Sequence, residues 1–250
     1  MTDATAPLEL VKIRKEFGGV VAISEFSLTL NGGEVVALVG DNGAGKSTLI
    51  KIVSGIHQPT SGEVRLGGRR VHLSDPSAAR RLGVEVVHQD LAIAEHQPVY
   101  MNMFLGRELV TRRLRRLDKK RMVRETQALV DELDVRIPSA RHTIRDLSGG
   151  QRQAVAISRA THWARHLILM DEPTAALGVA ESAKVEELIH RLRERNIAIL
   201  LVSHNMDQVL RLSDRITVLR RGTQIGTRVT AKTDKNEIVS MITGLQAADT

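Results

Sequence analysis

Eight consecutive residues, Gly40-Asp41-Asn42-Gly43-Ala44-Gly45-Lys46-Ser47, match the pattern G-x-x-x-x-G-K-[ST], and Thr48 follows them in the same loop-to-helix stretch. Glycines let a backbone wrap closely round phosphate oxygens, where a Cβ would clash. The amides of such a loop, and of the helix start behind it, form an anion seat. Lys46 adds a point charge for the outer phosphates. Ser47 offers a hydroxyl to Mg²⁺. The expectation is nucleotide binding with magnesium.

A second group of residues suits the chemistry of that phosphate. The apolar run Leu167-Ile168-Leu169-Met170 ends in Asp171 and Glu172. In α/β sheets, ligands sit beyond the carboxyl ends of strands. Side chains alternate along a strand, so the two carboxylates can divide the work. Asp171 is expected in the magnesium shell, and Glu172 as general base or water-positioning group. The competing reading is a carboxylate pair that only caps the next helix. His204 follows a second apolar run, residues 197–203, and so also stands at a strand end. It is placed to hydrogen-bond a γ-phosphate, although a lone strand-end histidine is more often structural. Gln89, after Val86-Val87-His88, is a candidate to ligate Mg²⁺ or position water, and a single Gln carries little information.

Leu147-Ser148-Gly149-Gly150-Gln151 opens a helix that runs through Trp163. Ser148 and Gln151 fit an S-x-x-Q capping box. Capping leaves the two glycines unexplained, because glycine is a poor helix former. Small residues at a helix start suit a closely approaching anion. If this helix lies far from Lys46 in its own chain, that anion comes from another copy.

These side chains need strands and helices to hold them. Residues 8–30 alternate apolar and polar, which predicts one or two strands with a turn at Gly18-Gly19. Residues 34–39 form a short, continuous apolar run, the signature of a buried parallel strand, ahead of the phosphate loop and a helix over 47–53. Further strands are predicted over 63–66, 84–88, 167–170, 197–203 and 216–219. Helices are predicted from Pro76 toward Leu82, and over 179–194, 207–212 and 236–242. Between about 90 and 164 no strand-like run occurs; residues 118–133 show helical spacing, and residues 112–121 are densely basic. Strands alternating with helices predict an α/β fold with a mostly parallel sheet. The domain expectation is one cassette over 1–250. Its nucleotide-binding core spans 1–90 and 165–250, and an inserted helical lobe spans 91–164.

Composition narrows the partners. The 250 residues carry 36 Lys and Arg against 29 Asp and Glu, a net charge of +7. That favours anionic surfaces in general. Aromatics are only 2%, too few for the stacking platforms of a single-strand binder, so no specific nucleic acid is expected. No apolar run approaches the roughly 20 residues of a membrane span. The polar start, with Asp3, is not expected to be a secretory signal. The absence of cysteine excludes disulfides and thiolate chemistry.

Taken in order, GDNGAGKST, Gln89, LSGGQ at 147–151, LILMDEP at 167–173 and His204 resemble the ATP-binding cassette of ABC transporters over nearly the whole chain. The resemblance implies a P-loop core with a small antiparallel β part and a helical signature lobe. It implies a head-to-tail homodimer with two ATP at the interface. Ser148, Gly149, Gly150 and Gln151 of one copy would touch the γ-phosphate held by Lys46 of the other. Glu172 would be the catalytic carboxylate and His204 the switch histidine. Phe17 stands where an aromatic stacks on adenine, although a strand Phe is otherwise often a core residue. KIVSGIHQPTSGEV, VVHQD and NMFLGRE resemble cassettes of bacterial monosaccharide importers of the ribose, xylose and fructose type. The implied partners are a transmembrane permease, which residues 89–106 would face, and, indirectly, an external sugar-binding protein; Tyr100 and Phe104 in that segment are either part of that face or ordinary core residues. The implied location is peripheral, on the cytoplasmic face of the membrane. Gly178 departs from the family, which commonly has Asp there to link the two nucleotide sites.

Two other readings were weighed. A soluble ABC-type ATPase acting on DNA or ribosomes has only the basic run at 112–121 in its favour. A regulatory GTPase would need Asn or Thr at Ala231, ahead of Lys232-Thr233-Asp234, and a D-x-x-G after the Asp171 strand.

Overall fold

The computed structural model describes residues 5–111, 115–175 and 177–244. Residues 112–114 of the basic run and Ala176 lie outside the described residues. The chain opens with a hairpin, β1 (Leu8–Phe17) and β2 (Val20–Leu30), with Phe17 paired to Val20 across Gly18-Gly19. Both glycines have positive φ, 50° and 89°, as the tightest hairpin turns require. β3 (Val35–Val39) follows, with all five residues buried. Next come α1 (Lys46–Val53), β4 (Ser61–Leu66), β5 (Arg69–Val71), α2 (Pro76–Arg81) and β6 (Val84–Val87). Asp75 caps α2 by accepting from the Ala78 amide at 2.8 Å, with Pro76 at the first helical position.

The helical stretch holds α3 (Val99–Met103), α4 (Lys119–Glu132) and α5 (Gly149–Trp163). The rhythm then resumes with β7 (Leu167–Asp171), α6 (Val179–Glu194), β8 (Ala198–Val202), α7 (Met206–Leu212), β9 (Arg215–Arg220), β10 (Thr223–Val229) and α8 (Lys235–Thr243). The strands run in the order β5-β4-β1-β2-β10-β9-β3-β8-β7-β6. β3 pairs in parallel with β8 and β9, and β8 with β7, whereas β1, β2, β4 and β5 form the antiparallel part. The fold is the expected α/β class. β5 and β10 add two strands without a buried apolar run; β10 is half-exposed along most of its length.

Contacts divide the described residues into two units. One reaches to Val86, resumes at Ala164–Glu172 and continues from Leu192; the other comprises Val87–Trp163 and Pro173–Arg191. The second unit thus includes residues 173–191, which the strand–helix rhythm assigns to the core. In the first unit, a core of Leu, Ile and Val from β1, β2, β3, β7 and β8 surrounds Leu49, Ile52 and Val53 of α1. Each such side chain contributes roughly 1.5–3 kcal/mol when fully buried. In the second unit Phe104 is fully buried and Tyr100 is 7% exposed. They are core residues, the one of the two alternatives left open by the sequence that burial selects. The Trp163 indole N–H donates to the Met103 carbonyl at 2.9 Å. Among the described residues, no helix is long and apolar enough to cross a membrane.

Candidate functional site

Three neighbouring parallel strands carry the site of the first unit. β8 lies between β3 and β7, and Val202 is the register partner of both Leu38 and Asp171. The chain therefore leaves β3 at Gly40, β7 at Glu172 and β8 at Ser203, one residue before His204, from one end of the sheet.

The loop after β3 is shaped by its surroundings. A Cβ on Gly40 would lie 2.0 Å from the Leu219 carbonyl oxygen, and one on Gly45 2.4 Å from Ile23 Cδ1. These two glycines answer to packing against β9 and β2. Gly43, with φ 78°, has nothing within 4 Å of a Cβ and lies on the open side with Asp41 and Asn42. Ala44 is buried. Lys46 Nζ reaches back to donate to the Gly40 carbonyl at 2.5 Å and the Asp41 carbonyl at 2.8 Å. Partial burial holds the Lys46 ammonium below the usual lysine range, opposed by the charges of Glu172, Asp41 and Asp171. α1 starts at Gly45 with no side-chain cap and no acidic residue in its first turn. Its leading amides, with Ser47 exposed and Thr48 half-buried, form an uncapped anion seat.

Glu172 adopts φ 52°, the left-handed region that costs a non-glycine residue roughly 1–2 kcal/mol. Its amide donates to the Val202 carbonyl at 2.9 Å, which fixes this turn to β8. The resulting geometry joins Glu172 Oε2 to His204 Nδ1 at 2.8 Å, with the carboxylate side chain 15% exposed and the imidazole 74% exposed. Sequence reasoning named both residues but not this bond, because spacing says nothing of which strand-end turn bends toward its neighbour. His204 is held between β8 and α7. The Ser203 hydroxyl donates to Gln208 and accepts from the Asn205 amide, and Asn205 caps α7.

Phe17 ends β1 at 41% exposure, with the His57 ring edge-on at 5.1 Å and Lys15 Nζ 4.7 Å from its ring centre. The exposure disfavours a core role and leaves an aromatic face for a ligand.

Ser148, Gly149, Gly150, Gln151 and Gln89 belong to the second unit. Gln89 is exposed after β6. At the start of α5 the capping box is complete: the Ser148 amide donates to Gln151 Oε1 at 2.9 Å, and the Gln151 amide donates to Ser148 Oγ at 3.3 Å. Gln151 Nε2 donates to the Arg136 carbonyl at 2.8 Å. Sequence reasoning missed Glu181, which accepts from the Gly150 amide at 3.2 Å. The steric need for glycine at 150 was a signal that a close neighbour exists, though not which one.

Among the described residues, no cluster of three His, Asp or Glu side chains forms a dedicated metal cage. One hydroxyl at Ser47 and one carboxylate at Asp171 suit Mg²⁺, which completes its shell with phosphate oxygens and water.

The model of the ABC transporter family matches residues 23–175. The chain is 46% identical over 236 residues to a xylose/arabinose import ATP-binding protein, XylG, of Sulfolobus acidocaldarius, covering 94% of this chain and 93% of the relative. It is 40% identical over 242 residues to a ribose import ATP-binding protein, RbsA, of Yersinia pestis, covering 97% of this chain and 47% of the relative, so it spans about half of that protein. A solved dimeric, post-hydrolysis form of an ATP-binding cassette bound to ADP and Pi is similar at 25% identity, with a TM-score of 0.74, covering 89% of this chain and 98% of that one. With its phosphate loop, strand-end carboxylates and LSGGQ helix start, this chain belongs to the ABC transporter family of ATP-binding cassettes.

Proposed function

We propose that this chain is the ATP-hydrolysing subunit of an ABC importer for monosaccharides of the pentose and fructose class. The observation that carries the reading is the convergence of an uncapped helix start, Lys46, Asp171, Glu172 and His204 at one end of β3, β8 and β7. The xylose/arabinose and ribose import relatives support the sugar class. The solved dimer with ADP and Pi supports a paired assembly.

The residues divide the reaction as follows. Lys46 spends two of its three N–H donors on loop carbonyls, which fixes the ammonium and leaves one donor for the β- and γ-phosphates. The loop and α1 amides hold the same oxygens, and Phe17 stacks on adenine. Ser47 and Asp171 would hold Mg²⁺, which would supply charge neutralisation to the phosphates. Glu172 Oε2 takes the His204 Nδ1–H, so Oε1 is left to accept a proton from the attacking water. His204 keeps Nε2 for the γ-phosphate. The water oxygen bonds to the γ-phosphorus as the bond to the β-phosphate oxygen breaks, giving ADP and inorganic phosphate without a covalent enzyme intermediate.

Ser148, Gly149, Gly150 and Gln151 of a second copy close on that γ-phosphate. Both ends of the Gln151 amide are engaged within its own unit, so the Ser148 hydroxyl and the Gly149–Gly150 amides make the contact. The pair then works peripherally, on the cytoplasmic face of a membrane permease fed by an external sugar-binding protein. Gly178 in place of Asp weakens the link between the two nucleotide sites.

Reconstitution with the permease in vesicles tests this reading. ATP should drive uptake of labelled xylose, arabinose, ribose or fructose. Glu172→Gln should lower turnover by roughly 100-fold or more, within the range a general base contributes, while ATP affinity stays within about threefold. Steady hydrolysis with no uptake of any of these sugars would overturn it.

A further inference from the structure

At the start of α5, the seat proposed for a second copy's phosphate already holds an anion. Glu181, in the first turn of α6, accepts the Gly150 N–H at 3.2 Å. A Cβ on Gly150 would lie 2.8 Å from the Glu181 Cβ, so glycine at 150 is what allows this approach. The Gly150 amide first, then the Ser148 hydroxyl, hold the Glu181 carboxyl below the usual glutamate range, with the Gly178 amide and Lys184 adding to them. The same carboxylate thus touches the signature helix and the loop where this chain has Gly178 instead of the family's Asp.

We propose that Glu181 is a positioning residue that occupies the anion seat of α5 until the γ-phosphate of a second copy replaces it, and so sets the ATP concentration at which two copies close. This rests on the reading that the α5 start receives phosphate in trans. A carboxylate and a phosphate cannot share one amide without strong repulsion, so the glutamate must leave or weaken the incoming contact. Glu181 lines a cleft of about 380 Å³ that also holds Arg136, Lys184 and Arg191 beside the carboxylates Asp134 and Glu187, so a displaced side chain has cationic partners within it. Its departure also releases the Gly178 amide, so arrival of phosphate at α5 is felt in the loop that follows Glu172.

The test uses the Glu172→Gln protein, which on the proposed function keeps its ATP affinity while turnover falls roughly 100-fold or more. Sedimentation gives the ATP concentration at half-dimerisation, and calorimetry gives the ADP affinity of the single copy. Adding Glu181→Gln should lower the half-dimerisation concentration by about tenfold or more and leave ADP affinity within twofold. Glu181→Ala should shift it the same way. A merely structural helix cap would give the opposite sign, because losing it loosens α5. An unchanged or raised concentration for Glu181→Gln, in a protein that is fully folded at the assay temperature, overturns the proposal even if the alanine variant fails to fold. If the Glu172→Gln parent stays monomeric at saturating ATP, the trans reading falls and this proposal falls with it. If the parent dimerises and the Glu181 variants gain nothing, only the proposal falls.

Discussion

Two helix starts in this chain face the same physical problem and meet it in opposite ways. Every α-helix leaves its first amides without partners. α1 leaves them bare: Gly45 supplies no side-chain cap and no acid stands in the first turn. α5 covers them with the reciprocal Ser148–Gln151 box and then with Glu181. An ordinary cap contributes about 1 kcal/mol, so the bare end is a stability forgone. On the proposed function the difference separates two kinds of seat: α1 would take a phosphate that its own chain grips, and α5 is stable without one.

The largest effect should come from the bare end. Lys46→Ala removes the only side-chain cation bridging the loop carbonyls at Gly40 and Asp41 among the described residues, and calorimetry should show ATP affinity reduced by at least about 100-fold. Undiminished affinity would erase the contrast. Next, equal mixing of Lys46→Ala and Ser148→Arg copies should restore no more than one working site per pair, because the other site inherits both defects. No restored activity at all in such mixtures would show that both helix starts serve one copy, since each site would then carry one defect.

A smaller effect separates the two starts by pH. Lys46 must be charged to hold phosphate, and its ammonium lies below the ordinary lysine value of 10.5. ATP affinity should therefore be full at neutral pH and fade as pH rises, before an ordinary lysine would lose its proton. Glu181 is held below its ordinary value of 4.5, so its contribution to stability is full above that value and is lost as pH falls through the lower folded value. Thermal melts of the parent and Glu181→Gln should converge in acid and separate above it. Smallest of all, Ser148→Ala should cost about 1 kcal/mol in denaturant melts, the usual worth of an N-cap, whereas no loss would mean that Glu181 alone caps α5.

The parts legible in the sequence were those that physics writes locally. β3, β7 and β8 announce themselves as short apolar runs, the phosphate loop by its spacing, and the α5 capping box by Ser148 and Gln151. Strands β5 and β10 were not legible, since Arg69-Arg70 and the half-exposed Gln224, Thr227 and Arg228 give no apolar pattern. For Tyr100 and Phe104 the sequence left a partner face and a core place both open, and only burial decides for the core. The Glu172–His204 and Gly150–Glu181 contacts join residues 32 and 31 positions apart, and only the folded chain selects such partners.

The collision awaiting any side chain at Gly40 or Gly45 means that neighbouring strands, and not the guest, dictate how the loop is bent. A receptor cast in advance forfeits little disorder when it is filled. The affinity released on filling is thus available for motion elsewhere, which is what an engine driven by nucleotide requires.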